Sequence, residues 1–419
     1  MDIEHRISDE PLISRLSTDL QDVFTIARVE ILRQPAPRGT RIGLGGRNKS
    51  QADASAEADQ ETVMFVGRLL RQDSETVYDL IAERWRAHNH TPLLRHYQGQ
   101  IALIAQPGIV SPKPGNPWIN LALALVTIVS VQFSGATYAC QCVPDSLRDW
   151  LLGIPMMLAM MGILMAHEFG HYFAARYHRV AVTLPYFIPL PFISPVGTLG
   201  AVIQLRSPFK TKRQLFDIGI AGPLAGLILA VPLIFWGVAD STVNELTRGP
   251  NFVLEGNSIF YLFVKYFVHG QLLPNFDAYA NLPFWQEFFL VLTGLIPAGG
   301  GTDILINSIA FAAWFGLFVT AMNLLPIGQL DGGHVSYCLL GDRARWMGMA
   351  LIGLMVLAGI FLWAGWLLWA LLTFFIIGPN HPPPLNDLVG LDPVRKTIAY
   401  VMIVLFIVLF MPNPLQVIS

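Results

Sequence analysis

The sequence predicts an all-α polytopic membrane protein of about six or seven spans, with a small N-terminal α+β soluble module. Three observations predict this class. Of the 419 residues, 53% are hydrophobic and only 13% are charged, whereas soluble domains carry roughly 25% charged residues. Long apolar runs follow one another after residue 117, and most of them have a length close to the roughly 20 residues that a membrane span requires. This composition excludes an ordinary soluble enzyme.

The first 110 residues are polar enough to lie outside a membrane. Residues 1–60 form a polar N-terminal segment, and its part at 35–60 is rich in Gly, Ser, Ala and charge, which predicts a disordered linker. The strand-like and helical patterns in residues 61–110 predict a small cytoplasmic α+β module. Its expected elements are a strand at 61–70, a helix at 74–88 and two short strands at 93–98 and 101–105.

The remainder of the chain is dominated by apolar runs. The candidate spans are residues 118–133, 150–177, 216–238, 304–325, 346–378 and 397–411. Residues 346–378 are either one long tilted helix or two short helices that turn near Trp363 to Gly365. No basic segment followed by an apolar one opens the sequence, so we expect no cleaved signal peptide and expect the first span to direct insertion.

The distribution of charge predicts the orientation in the membrane. Six basic residues lie at the end of the second span or between it and the third: Arg176, Arg179, Arg206, Lys210, Lys212 and Arg213. Residues 239–303, in contrast, hold two basic and six acidic residues. By the positive-inside rule the basic connection and the N-terminus are cytoplasmic. We therefore expect a multi-pass protein of the bacterial inner membrane with a cytoplasmic N-terminus. A net charge of −2 indicates no nucleic-acid partner.

The pentapeptide HEFGH at 167–171 lies inside the second span. On a helix, His167 and His171 lie one turn apart on one face, the spacing that suits two imidazole ligands of one zinc ion. Glu168 lies beside them and can take a proton from a water that the metal activates. Each ionisable side chain at mid-bilayer costs roughly 2.5–3.5 kcal/mol. This cost favours a metal site over a polar cluster that merely stabilises the helix bundle.

A zinc hydrolase needs a third protein ligand, and Asp331 is the best candidate. It lies in the segment 323–333, which we expect to end the fourth span on the same side as His171. Pro326 and the glycines break the helix there, and irregular backbone in a membrane is tolerated only around a protein-lined cavity. His334 is the competing ligand. An Asp before two glycines is also common as a plain turn residue.

Three segments taken together carry a resemblance. The pentapeptide at 167–171, the Leu-Asp-Gly element at 330–332 and the intervening AGPLAG at 221–226 resemble the site-2 protease family of intramembrane zinc metalloproteases. The resemblance covers roughly residues 118–411 and implies an intramembrane metalloprotease domain there. It implies one Zn²⁺ per chain with His167, His171 and Asp331 as ligands, Glu168 as catalytic base and Asn323 as a substrate-binding residue that contacts the substrate backbone.

The chain departs from better-known members of that family. It has no obvious PDZ domain between the spans and no paired regulatory domain after the last one, and so is more similar to the branch with plastid and cyanobacterial members. In the family a membrane-dipping β-hairpin lies where this chain has residues 183–205, a run broken by four prolines. An ordinary interfacial loop is the alternative there. We interpret Gly222 and Gly226 as small residues that permit close helix contact.

Two hypotheses about function follow. The first is a zinc metalloendopeptidase that hydrolyses peptide bonds in or near transmembrane segments, with membrane-protein substrates and the lipid bilayer as partners. The second is a catalytically silent chaperone or scaffold of the same fold. The retention of Glu168 together with all three ligands favours the enzyme, because a scaffold needs no general base. An ion transporter would need polar residues in several spans, whereas here they concentrate at one site.

Overall fold

The computed structural model describes residues 10–33, 61–111, 115–246, 253–279, 281–295 and 300–417. The chain divides into two compact units. The N-terminal unit comprises the residues up to 112 together with 207–212 and 383–390, and the membrane unit comprises the rest. The linker expected at 35–60 lies outside the described residues.

The N-terminal unit is built on a four-stranded antiparallel sheet. Its elements are α1 (Glu10–Thr18), β1 (Phe24–Arg33), β2 (Glu61–Leu69), α2 (Ser74–Arg86), β3 (His90–Tyr97) and β4 (Gln100–Pro107), and its strand order is β1-β2-β4-β3. Asp73 caps α2 by accepting the N–H groups of Glu75 and Thr76. The α2 face that carries Ile81 and Trp85 is fully buried. The elements expected at 61–105 are all present.

The folded part of this unit begins earlier than the expected boundary at residue 61. Strand β1 pairs antiparallel with β2 from Phe24 opposite Leu69 to Arg33 opposite Glu61. Leu16 and Leu20, in and just after α1, are fully buried in the same core. The polar segment 1–60 therefore contributes a helix and an edge strand. A small sheet is stable only when its apolar face packs against other elements, and α1 supplies part of that packing.

Two segments from far along the chain complete the edge of this sheet. The N–H of Leu94 in β3 donates to the carbonyl of Leu385 at 2.8 Å, and the N–H of Asp387 donates to the carbonyl of Leu94 at 3.1 Å. The N–H of Leu385 in turn donates to the carbonyl of Phe209 at 2.9 Å. Backbone groups that β3 would otherwise leave unpaired at the sheet edge are thereby satisfied.

The membrane unit is mostly helical. Its helices are α3 (Pro117–Cys140), α4 (Leu147–Leu152), α5 (Ile154–Tyr177), α6 (Lys212–Ala239, whose first residue belongs to the N-terminal unit), α7 (Ile259–His269), α8 (Phe284–Thr293), α9 (Ser308–Asn323), α10 (Asp331–Leu340), α11 (Ala344–Phe361), α12 (Gly365–Leu372) and α13 (Pro393–Leu409). Its short strands are β5 (Tyr186–Pro189), β6 (Thr198–Val202), β7 (Thr242–Glu245), β8 (Val253–Glu255), β9 (Asn275–Phe276), β10 (Gly301–Leu305) and β11 (Leu415–Val417).

Four of the described helical stretches are long and apolar enough to cross a membrane: Pro117–Cys140, Leu147–Tyr177, Lys212–Ala239 and Asp331–Phe361. Three apolar helices are shorter: Ile259–His269, Ser308–Asn323 and Gly365–Ile377. The run 346–378 is two helices, because α11 ends at Phe361 and α12 begins at Gly365. Four helical stretches of sufficient length and hydropathy agree with a multi-pass protein.

The segment around Asp331 differs from the expectation. Residues 301–305 form β10 rather than the start of a span, and α9 ends at Asn323. The expectation that Asp331 ends the fourth span is wrong, since Asp331 is the first residue of α10. Gly328 takes a positive φ of 52° in the intervening turn, a conformation that favours glycine. A new helix, α10, therefore begins after this turn, and Asp331 lies in its first turn.

Residues 183–205 contain an antiparallel hairpin. Strand β5 pairs with β6, with Tyr186 opposite Val202 and Phe187 opposite Ala201. The connecting tip exposes Phe192 and Ile193. Because prolines interrupt this apolar run, a regular helix is excluded and a short two-stranded ribbon forms instead.

Candidate metal centre

Helix α5 presents two histidines from one face. The Nε2 atoms of His167 and His171 lie 3.2 Å apart, as expected for side chains four residues apart on a helix. Both imidazoles are buried, with exposures of 4% and 6%. The spacing in the sequence is therefore realised as a pair of neighbouring nitrogen donors.

Asp331 joins this pair from the start of α10. Its Oδ2 lies 3.4 Å from Nε2 of His167 and 3.3 Å from Nε2 of His171. The next two residues are glycines because the first turn of α10 packs on the preceding turn. A Cβ at Gly333 would lie 2.6 Å from the carbonyl oxygen of Ile327. The local sequence thus lets the helix start close enough to deliver the carboxylate.

The geometry of the three donor atoms fits zinc. Their separations of 3.2, 3.3 and 3.4 Å form an almost equilateral triangle. Ligands at 2.0–2.1 Å from a tetrahedral zinc ion stand about 3.3–3.4 Å apart. Two imidazole nitrogens and one carboxylate oxygen are also a donor set that catalytic zinc sites use. This group of side chains could hold a metal ion.

Helix α6 holds and accommodates the histidines. Nδ1–H of His171 donates to the carbonyl of Ile218 at 2.7 Å, which leaves the lone pair of Nε2 directed at the donor group. A Cβ at Gly222 would overlap the His171 imidazole, and one at Gly226 would lie 3.4 Å from Nδ1 of His167. The glycines of the AGPLAG segment therefore make room for the imidazoles. The purely structural interpretation of Gly222 and Gly226 as helix-contact residues was incomplete.

Glu168 and Asn323 are the two other site residues expected from the sequence. Glu168 follows His167 on α5 and is only 5% exposed. Nδ2 of Asn323, the last residue of α9, lies 3.3 Å from Nε2 of His167. The structure therefore brings Asn323 into contact with the donor group, and it buries Glu168, the neighbour of His167 in the sequence.

His334, the competing third ligand, is engaged elsewhere. Its Nδ1 lies 2.7 Å from Nε2 of His381, whereas the group of three donor atoms contains Asp331. From the sequence we expect His381 to cap or anchor a turn rather than bind metal, and neither its contact with His334 nor the bond from His171 to the carbonyl of Ile218 is foreseen. The histidine before three prolines was a signal for His381, but no sequence signal identifies a backbone acceptor.

A network of charges fastens the ends of three helices in the membrane unit. Asp217 in α6 accepts from Arg395 at 2.7 Å and lies 3.0 Å from Nε2 of His178, which caps α5. Asp392, just before α13, accepts backbone and side-chain hydrogen bonds from Arg395, which lower the pKa of Asp392 to about 2. The network connects the helix that carries the histidines with the helix that carries the glycines.

The comparisons with known proteins point in the same direction. The model of "Peptidase family M50" matches residues 155–362. "Probable zinc metalloprotease EGY1, chloroplastic" of Arabidopsis thaliana is 28% identical over 269 residues, which cover 62% of this chain and 43% of the relative. "Probable zinc metalloprotease EGY2, chloroplastic" of Oryza sativa subsp. indica is 27% identical over 217 residues, which cover 51% of this chain and 34% of the relative.

The match to these curated relatives spans less than half of their length. No solved structure matches. The matched family and the relatives imply zinc, and the matched residues 155–362 contain all of the donor group described above. Residues 155–362 therefore form a peptidase family M50 domain of the site-2 protease type, homologous to the EGY zinc metalloproteases of plastids.

Proposed function

We propose that this protein is an intramembrane zinc metalloendopeptidase that hydrolyses peptide bonds in or near transmembrane segments of other membrane proteins. The observation that carries the proposal is the triangle of donor atoms from His167, His171 and Asp331, with edges of 3.2–3.4 Å. These side chains belong to helical stretches long and apolar enough to cross a membrane. Such a site serves substrates that a soluble protease does not reach.

We assign roles to the residues around the metal centre. When bound, zinc supplies Lewis-acid chemistry that polarises a peptide carbonyl and makes water more acidic. Glu168 accepts a proton from the attacking water and returns it to the departing amine nitrogen, the usual course of general acid–base catalysis. Burial of Glu168 at 5% exposure keeps competing water away from its carboxyl group.

Asn323 has a role toward the substrate in this proposal. Its side-chain amide lies 3.3 Å from Nε2 of His167. Once that nitrogen gives its lone pair to a metal, it can no longer accept a hydrogen bond. The amide of Asn323 is then available to a substrate carbonyl, which fits the expected contact with the substrate backbone.

The hairpin β5–β6 offers an edge to an extended substrate. Each of its strands has one partner in the two-stranded sheet, so an edge remains for strand addition. A helical substrate must unwind before its peptide bonds can be attacked, and pairing with an edge strand stabilises the extended form. The exposed Phe192 and Ile193 at the tip suit a hairpin that dips into the membrane.

We also propose on which side of the membrane the soluble parts of the protein lie. The apolar helices indicate a multi-pass membrane protein. We keep the expectation that the basic connection 176–213 and the N-terminal unit lie on the cytoplasmic side. The relatives named above are chloroplastic and do not support the expected bacterial inner membrane.

The second candidate is a silent chaperone or scaffold with the same fold. Glu168 argues against this candidate, because a scaffold does not need a buried general base that adjoins His167 in the sequence, and burial of a carboxyl group costs free energy. The difference between the two candidates is hydrolysis, which can be measured directly.

The decisive experiment compares the wild type with Glu168→Gln in liposomes that contain a single-span substrate library. Gln has nearly the same shape as Glu but cannot accept the proton. We expect Glu168→Gln to retain zinc and lose cleavage by a factor of about 10²–10⁴. Glu245→Gln, at an exposed position, is the matched control and should cleave like the wild type. Cleavage by Glu168→Gln at the wild-type rate would refute the assigned base, and a zinc-loaded wild type that cleaves nothing would favour the scaffold.

A further inference from the structure

His334 and His381 form a hydrogen-bonded pair in the membrane unit. Nδ1 of His334 lies 2.7 Å from Nε2 of His381, with the two rings nearly perpendicular at 84°. In such a pair one imidazole donates and the other accepts, so the two tautomers are linked. A separation of 2.7 Å is shorter than the about 3.3 Å between two ligands of one tetrahedral zinc ion. The pair is therefore a hydrogen bond and not a second metal site.

His381 also contacts a second residue of α10. Its ring stacks on Tyr337, with centroids 4.6 Å apart and an angle of 20° between the planes. Tyr337 follows His334 by three residues, which places both on one face of the helix. One side chain from the loop after α12 thus contacts α10 at two successive turns.

His334 is fixed on its other side by α6. A Cβ at Gly219 would lie 2.9 Å from Cβ of His334. The preceding residue, Ile218, provides the carbonyl that binds Nδ1 of His171. One turn of α6 therefore contacts both His171 and the helix that begins with Asp331.

The contacts of His381 bear on Asp331 through the rigidity of α10. Asp331 is the first residue of this helix and His334 lies one turn later. A rotation of α10 that breaks the pair with His381 also moves the carboxylate of Asp331 relative to the two imidazoles. Zinc ligands depend on such outer contacts for their orientation.

We propose that His381 is a positioning residue that acts through His334 to hold α10, and with it Asp331, in the orientation in which the three donor atoms meet. This inference rests on the proposed zinc site. It adds to that site a residue from a loop 50 positions after Asp331, whose contacts include His334 and Tyr337 of α10.

The test is a double-mutant cycle read out by metal affinity in purified full-length protein. Zinc affinity is measured by competition with a chelator, and the visible spectrum of bound Co²⁺ reports the coordination geometry. The variants are His334→Ala, His381→Ala and the double variant. His334→Asn and His381→Gln are the conservative variants, because their amide groups lie close to the ring nitrogens that they replace. His269→Gln is the matched control, a part-buried histidine with one hydrogen bond to the carbonyl of Val238.

We expect each alanine variant to bind zinc about tenfold more weakly, near the lower end of the effect of outer-sphere partners, and to change the Co²⁺ spectrum. The double variant should lose no more than either single one, since the two residues act as a unit. His381→Gln should recover most of the affinity, and His269→Gln should match the wild type.

Wild-type zinc affinity and an unchanged Co²⁺ spectrum in His381→Ala would overturn the inference, as would fully additive losses in the double variant. If the alanine variants do not fold, His381→Phe decides by the same measurements, because it keeps a ring to stack on Tyr337 but cannot form the hydrogen bond with His334; wild-type zinc affinity in this variant would overturn the inference. The outcome is separate from that of the proposed function. A wild type that binds zinc through this arrangement and yet cleaves nothing would refute the protease and leave the positioning role intact.

Discussion

Gly222 on α6 faces the imidazole of His171 on α5 so closely that a Cβ at this position would overlap the ring. The absent side chain is what allows the imidazole to lie between the two helices while Nδ1–H reaches the carbonyl of Ile218. A residue that looks like a helix-packing glycine is therefore part of the construction of the metal centre.

The first prediction is that Gly222→Ala displaces His171. Adding a methyl group to a close-packed position costs about 1–3 kcal/mol, and the imidazole is the nearest group that can give way. We expect zinc affinity to fall at least about tenfold, measured by chelator competition. Gly353→Ala is the control, because Gly353 is in helix α11 and has nothing within 4 Å of the added Cβ. Equal zinc affinity in both variants would contradict the contact.

The second prediction concerns the ligands. The purified wild type should hold about one zinc ion per chain, and His167→Ala, His171→Ala and Asp331→Ala should each deplete it, as measured by elemental analysis. His269→Ala should retain the metal. Full zinc occupancy in Asp331→Ala would exclude Asp331 as the third ligand and would make His334 the candidate.

The third prediction concerns pH and a buried cluster between β8, α7 and β10. Lys265 is fully buried and lies 3.0 Å from Asp303 and 3.7 Å from Glu255, which accepts a hydrogen bond from Tyr261. Burial raises the pKa of Glu255 to about 7 from its usual 4.5, against the attraction of Lys265. Between these two values the folded state holds a proton that the unfolded state has released. Stability therefore falls as the pH rises through this window and levels off above it.

The effect can be measured by the thermal midpoint in detergent between pH 4.5 and 8. At about 1.4 kcal/mol per unit, the shift corresponds to at most roughly 3–4 kcal/mol of unfolding free energy. Glu255→Gln should remove most of this loss, whereas Glu245→Gln, at an exposed position, should leave it unchanged. A midpoint that rises from pH 5 to 7.5 in the wild type, or an identical profile in Glu255→Gln, would contradict the assignment.

The fourth prediction concerns topology. The basic connection after α5 should face the cytoplasm, and the acidic stretch 239–303 should face outward. Gln204→Cys and Glu245→Cys, made at exposed positions in a cysteine-free background, can be tested with an impermeant thiol reagent on intact cells. We expect labelling at position 245 and protection at position 204. The reverse pattern would invert the orientation, and labelling of both would show that α6 does not cross.

Local patterns in the sequence predicted the metal centre better than they predicted its surroundings. The spacing of His167 and His171 needs only helical geometry, which one turn of chain already determines. Asp331 was expected as the third ligand, from the broken helix around it and then from the family resemblance. Its own helix was not expected, since the turn at Gly328 that starts α10 depends on packing against residues far away. The role of Gly222 depends on a neighbour 51 positions earlier, which no periodicity reports.

The same limit explains the edge strand β1. A long polar segment separates its residues from β2, and the register shifts between Ile26 and Arg28, which interrupts the alternation of apolar residues. Only the pairing from Phe24 to Arg33 reveals that the two strands belong to one sheet. Pairings between distant segments depend on the balance of closure entropy and buried area. That balance is a property of the whole unit and cannot be obtained from any one window of sequence.

The backbone pairing of residues 385–387 with Leu94 has a consequence for biosynthesis. The first 112 residues leave the ribosome long before the segment that completes their sheet has been made. At translation rates of about 5–20 residues per second, the 278 residues between positions 112 and 390 take roughly 15 to 55 seconds. During that interval the outer strand of a nascent sheet stays open to any other chain, at the time when the apolar helices are being inserted. We expect general chaperones to bind this early intermediate. We also expect a chain truncated after residue 112 and fused to a reporter to keep the open sheet edge, because it never receives residues 385–387.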